Sequence, residues 1–442
     1  MNINLHTTLR NIFILSLIWI LIEGVFRKWF FLSLSGALFN VKYVLFFLCY
    51  LVFLMGKLPG IRVQYAYQFL ILIYVSWCLL GILNNRLDNQ MLVGIIGLVT
   101  HIFFIPLIHM TQFLFKSRDV IHSFIKILVY TSFPICILGM VQFYLPTDDL
   151  LNGFVNQDQL INRVGEFTRI SSVFSFVKIY NVYLLFVITL LTSSILYRIL
   201  RGEKIFIYTI SLLLLIVNMF MTGSRLPIIL MLFNIIVFGG YILFNFIQLR
   251  KTVIIVFSAG IIAIYSLYFT TNLVKDPIDA VIKRSEIAEL RHRTDADGFM
   301  DIRLRLKDKL DIFKFRNEAG LFGYGIGTSY QGTEGLISNP IPFYFEEEGE
   351  RLVLELGIVG GVIILLLRFF IFLFSIRLLI NCKSHGLKLI LFSLSIYLIP
   401  HIMALQLTVY NYLDNFIYWF TFGLIIALSK IDKVEFNDQS QE

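Results

Sequence analysis

Arginines give the first chemical signal. Arg169 sits in "TRISSVFSFVKIYNVYLLF" (Thr168 to Phe186), just ahead of an uninterrupted apolar run. Arg163 precedes it, Arg225 follows in "TGSRLP", and Arg303, Arg305 and Arg316 lie in "MDIRLRLKDKLDIFKFR". A guanidinium fork binds phosphate bidentately and keeps its charge at any relevant pH. At the mouth of a membrane helix a charge is expensive unless something anionic meets it, so this set points to a phosphate-bearing lipid. Ser224 and Arg225 gain from their place: Pro227 marks a helix start, where backbone N–H groups and the helix dipole attract anions. The competing reading is an arginine that snorkels from a tight turn.

Carboxylates form the second group. In "FEEEGERLVLELGIVGG", Glu346, Glu347, Glu348 and Glu350 precede an apolar helix and Glu355 stands one turn inside it. Acidic residues there complement the helix dipole; alternatively one of Glu346, Glu347 and Glu348 accepts a proton from a hydroxyl. Glu23, in "EGVFRKW", pairs with Arg27 or Lys28 and serves structure as readily as substrate. "GLFGYGIGTSYQG" is glycine-rich, but no strand pattern precedes it and no Gly-Lys-Ser/Thr follows, so it is a poor nucleotide motif; its glycines let backbone approach the membrane or a ligand closely. The seven histidines show no metal-ligand spacing, and His292 and His401 alone are assigned to the outer side. The four cysteines are isolated, so neither a disulfide framework nor a zinc site is expected.

The elements that must carry these residues follow from composition. Of 442 residues, 58% are hydrophobic and 44 are Phe, and the mean hydropathy is +0.80. Soluble domains have roughly half apolar and about a quarter charged residues. Apolar runs of helix-spanning length predict an all-α polytopic membrane protein of about 12 transmembrane helices. They are placed near Ile12–Val25, Ala37–Leu54, Ala66–Leu83, Met91–His109, Ser123–Phe143, Val177–Leu196, Ile205–Met221, Pro227–Phe246, Val253–Phe269, Leu352–Leu379, Lys388–Ala404 and Phe416–Ser429. The first run lacks a small-residue cleavage site and reads as a retained helix. The net charge of +8 sits in short loops such as "YRILRGEK" and "SIRLLINCKSHGLK", which places both termini in the cytoplasm and argues against nucleic acid as a partner.

The organisation is then nine helices over 1–270, one large extracytoplasmic loop over 271–350, three helices over 351–430 and a cytoplasmic tail over 431–442. That loop holds 26 of the chain's 66 charged residues. A loop of this length is functional or disordered rather than a plain connector. Within it Ile302, Leu306, Leu310 and Phe313 recur at helical spacing between two basic stripes. The pattern fits an amphipathic helix in the membrane interface; a solvated helix docked on the rest of the loop fits it equally.

The order of "TRISSVFS" before a helix, "TGSR" between two helices, a long outer loop with "DIRLRLKDKLDIF" and "GLFGYGIG", then "LELGIVGG" opening a helix, resembles the bacterial O-antigen polymerase and ligase superfamily. The likeness runs from about Arg169 to Gly361, with "EGVFRKW" similar to an element of its polysaccharide-polymerase members. It implies transfer of a glycan from a polyprenyl diphosphate carrier at the outer face of the bacterial cytoplasmic membrane, with no cofactor, metal or nucleotide sugar. Residue by residue it puts Arg169, Arg225 and either Arg303 or Arg305 at the diphosphate. Family ligases carry a histidine shortly before the "ExG" helix; this chain has Glu346–Glu348 there instead, which favours the polymerase. The expected partners are an undecaprenyl-diphosphate-linked oligosaccharide and membrane lipid, with a chain-length regulator as a further candidate. A ligase of the same family is the nearest rival. A lipid-linked oligosaccharide flippase is the rival from another class, disfavoured because the charges gather in one loop rather than at a repeated midplane site.

Overall fold

In lipid every backbone N–H and C=O must be paired within the protein, so apolar runs of this length fold as helices. The computed structural model describes residues 5–56, 65–84, 90–155, 163–164, 167–294, 311–337, 341 and 347–439. Helix occupies each of the twelve expected stretches, interrupted near 103–106 and 398. Among the described residues ten spans are long and apolar enough to cross a membrane. The other two stretches are Phe206–Met221, apolar but of 16 residues, and Arg250–Thr270. The chain is an all-α polytopic membrane protein; its β-structure among the described residues is one antiparallel pair, Arg163–Val164 with Phe167–Thr168.

Burial sorts the helices. Tyr412–Gln439 and Val177–Leu200 are the inner ones, buried along almost their whole apolar windows. The outer helices keep large side chains such as Leu83, Phe244 and Ile254 exposed, as lipid-facing positions require. Polar contacts separate the bundle's two ends. At one end Arg118 donates to Ser384 Oγ at 3.1 Å, and Asp432 accepts the backbone N–H groups of Lys383 and Ser384 at 2.9 and 2.8 Å. At the other end the first helix, the 171–175 loop, the 320–336 segment and the start of the last helix meet.

The helix Glu348–Asn381 is broken at Gly357, whose φ of 71° lies outside the range of most side chains. A break frees backbone groups, and the glycine-rich segment takes them up. Tyr324 N–H donates to Leu354 O (2.7 Å), Gly325 N–H to Glu355 O (3.1 Å), and Ile358 N–H to Gly320 O (3.0 Å). Trp77 Nε1 donates to Leu356 O at 3.0 Å. The fit needs glycine: a Cβ at Gly323 would stand 2.4 Å from Glu355 O. "GLFGYGIG" and "LELGIVGG" are thus two halves of one packing solution.

The large loop is described over 271–294, 311–337, 341 and 347–350. It opens with a 23-residue helix, Asn272–Thr294. The amphipathic helix expected over 300–316 falls largely on residues outside those described. Its last part, 311–315, forms turns before a short helix Arg316–Ala319.

Candidate functional site

Where Arg169, the 176–179 turn, the glycine-rich segment and the last helix meet, a cavity of about 360 Å³ opens. This is within the range of ligand pockets. Its described lining carries four cations, Arg27, Arg169, Lys178 and Arg351, and no Asp or Glu. Rings of Phe39, Tyr43, Phe104, Tyr330, Tyr410 and Tyr412 supply much of the remaining wall.

Arg27 comes from a π-helical turn, Phe26–Phe30, that ends the first helix. It donates to Ser35 Oγ and Ser175 Oγ, both at 3.0 Å, and lies 3.4 Å from Glu23 Oε1. Glu23 also meets Lys42 Nζ at 2.9 Å and accepts from the Tyr412 hydroxyl at 2.6 Å. The expected Glu23–Arg27 pair is present. Lys28 turns away to Ser171 Oγ and Ser172 O, because the last turn of the helix points it at the 171–175 loop. Two cations therefore face one carboxylate at this corner, which leaves the cavity wall positive.

Arg169, half-buried, donates to Thr222 O at 3.4 Å and Ser224 Oγ at 3.3 Å. The "TGSR" turn and the "TRISS" segment, separate in sequence, are thus one unit, reinforced by Asn181 Nδ2 to Ser224 Oγ (2.9 Å) and by Arg284 donating to Gly223 O. Burial, and then the neighbouring Arg284 guanidinium, push Arg169 down to about 10. It remains a cation at neutral pH, in surroundings that an anion would relieve.

The other expected residues fare differently. Arg225 begins its helix exposed and does not line the cavity, since the turn presents Ser224 inward and Arg169 takes the inner place. Arg163 stands in the short strand opposite Thr168, next to Arg169 in the chain; its side chain lies outside the described residues. Arg303, Arg305 and Glu346 also lie outside them. Glu348 is unsuited to act as a base: fully buried, it receives Arg368 on both oxygens (2.7 and 3.0 Å) and Val409 N–H at 2.7 Å. Glu350 meets Lys314 at 3.3 Å. Glu347 is half-buried, one turn ahead of cavity-lining Arg351.

Three residues escaped sequence reasoning: Lys178 and Arg351, each in the opening turn of an apolar helix, and His101, inside one. Arg351 donates to Ser329 O at 3.4 Å and lies 5.3 Å from the Tyr410 ring. His101 Nε2 stands 2.8 Å from Glu355 Oε2, with both side chains wholly buried. The available signal was that an ionisable group within an apolar run demands a partner. His401, assigned to the outer side from sequence, is buried against Tyr397 O and Asp414. Among the described residues no group of three or more His, Cys, Asp or Glu side chains could hold a metal ion. No protein-family model and no curated protein matches the chain.

Proposed function

We propose that this protein polymerises oligosaccharide repeat units carried on undecaprenyl diphosphate into O-antigen, capsular or exopolysaccharide at the outer face of the bacterial cytoplasmic membrane. One observation carries the reading: a cavity with four cationic side chains, aromatic walls and no acidic lining among the described residues. Cations in a site shielded from water stabilise a diphosphate as it departs. Rings with polar edges suit a ligand that is part sugar and part lipid.

In the proposed reaction a sugar hydroxyl of one repeat unit attacks the anomeric carbon of another glycan. The new C–O bond forms as the bond to the diphosphate breaks, and the electron pair leaves on a phosphate oxygen. Arg27, Arg169, Lys178 and Arg351 neutralise that oxygen. Glu347, the carboxylate of the expected trio that stands one turn ahead of cavity-lining Arg351, takes the hydroxyl proton. The basic loops at the opposite end of the bundle, with both termini, face the cytoplasm in this proposal.

Cells lacking the protein should accumulate single repeat units on the carrier, read on a gel of lipid-linked glycans. Full-length polymer stranded on the carrier would assign a ligase instead, and repeat units trapped on the cytoplasmic side would assign a flippase.

A further inference from the structure

Tyr330, Gln331 and Gly332 reach the cavity wall from a segment whose preceding residue, Ser329, is held by a carboxylate of the broken helix. Glu355 Oε1 accepts both the N–H (2.8 Å) and the Oγ–H (2.7 Å) of Ser329. Its Oε2 meets His101 Nε2 at 2.8 Å, and the Tyr74 hydroxyl lies 2.7 Å from His101 Nδ1. Neither Glu355 nor His101 lines the cavity. Ser329 in turn offers its carbonyl to Arg351. Ser329 and His101 therefore converge on one buried carboxylate, which Tyr74 backs through His101.

We propose that Glu355, oriented by His101 and Tyr74, is a positioning residue that holds Ser329 and so keeps Tyr330, Gln331 and Arg351 in the cavity wall. A buried carboxylate is retained inside an apolar run only when its partners satisfy it. Here the partners are the donors of a cavity-forming segment, so the satisfaction of the charge and the shape of the cavity are one condition. The inference rests on the lipid-diphosphate reading for what the cavity binds, and on geometry alone for what holds the wall.

Thr333, fully buried in the same segment, and Gln331, exposed on the cavity wall, report on position and on binding. The four native cysteines are buried, so Thr333→Cys and Gln331→Cys each add one informative thiol. With Thr333→Cys, Glu355→Ala should speed labelling by a thiol reagent about tenfold, the scale of losing hydrogen bonds to a buried charged group. Glu355→Gln, which keeps the shape and accepts from Ser329, should restore the slow rate, and the native cysteines should stay unlabelled throughout. With Gln331→Cys, undecaprenyl diphosphate should protect the parent and the Glu355→Gln form but not Glu355→Ala. Unchanged Thr333→Cys labelling in folded Glu355→Ala would overturn the proposal. If Glu355→Ala does not accumulate, Ser329→Ala decides: faster Thr333→Cys labelling supports the latch and an unchanged rate overturns it. Absence of protection in the parent, with the Thr333→Cys result intact, would sink the lipid-diphosphate reading alone.

Discussion

Arg169→Lys should lower the rate of polymer formation about a hundredfold at unchanged protein level, the scale of losing one transition-state contact worth about 3 kcal/mol. The substitution keeps a cation in the cavity but removes the fork that binds a phosphate bidentately. It also removes donors to Thr222 O and Ser224 Oγ, so the "TGSR" turn loses its tie to the 168–175 segment. Arg225→Lys, at an exposed position outside the cavity lining, should cost far less. Arg198→Lys, at the opposite end beside Glu203, should be silent. The readout is glycan chain length on a gel. Equal activity of Arg169→Lys and the parent would return Arg169 to the class of snorkelling anchors.

The second large effect is on stability. Arg368→Leu should strip Glu348 of its cation while leaving it wholly buried, and removing one partner of such a pair costs about 3–5 kcal/mol. The loss should appear as a lower unfolding temperature and a smaller yield of folded protein. Adding Glu348→Leu should recover part of the loss, because the uncompensated charge goes. Recovery should stay incomplete, since Val409 N–H then lacks its acceptor. A double variant no more stable than Arg368→Leu would show that the pair is not what stabilises this part of the bundle.

The helices were legible because their signal is local: length and apolarity decide a spanning helix, and each expected stretch carries one. The break at Gly357 was not, because the backbone groups it frees are taken up by the 320–325 segment, a pairing of residues thirty or more positions apart. The same distinction divides the site. Arg169 stood out as a charge before an apolar run, and the cavity holds it. Glu348 looked like a base because it lies ahead of a helix; Arg368, twenty residues on, claims both its oxygens. Lys178 and Arg351 gave no signal of their own in the first turns of their helices, His101 was one of seven histidines without metal-ligand spacing, and Glu355 one of several acidic residues at a helix start. Sequence says that a buried charge needs a partner but not which helix supplies it.

Purified protein in liposomes, given lipid-linked repeat units and no nucleotide, with chelator present, puts the central claim to its most direct test. The account predicts a ladder of lengthening glycans and the release of one undecaprenyl diphosphate for each new glycosidic bond. Repeat units that stay single, with no diphosphate released by a folded protein that binds the carrier, would contradict it.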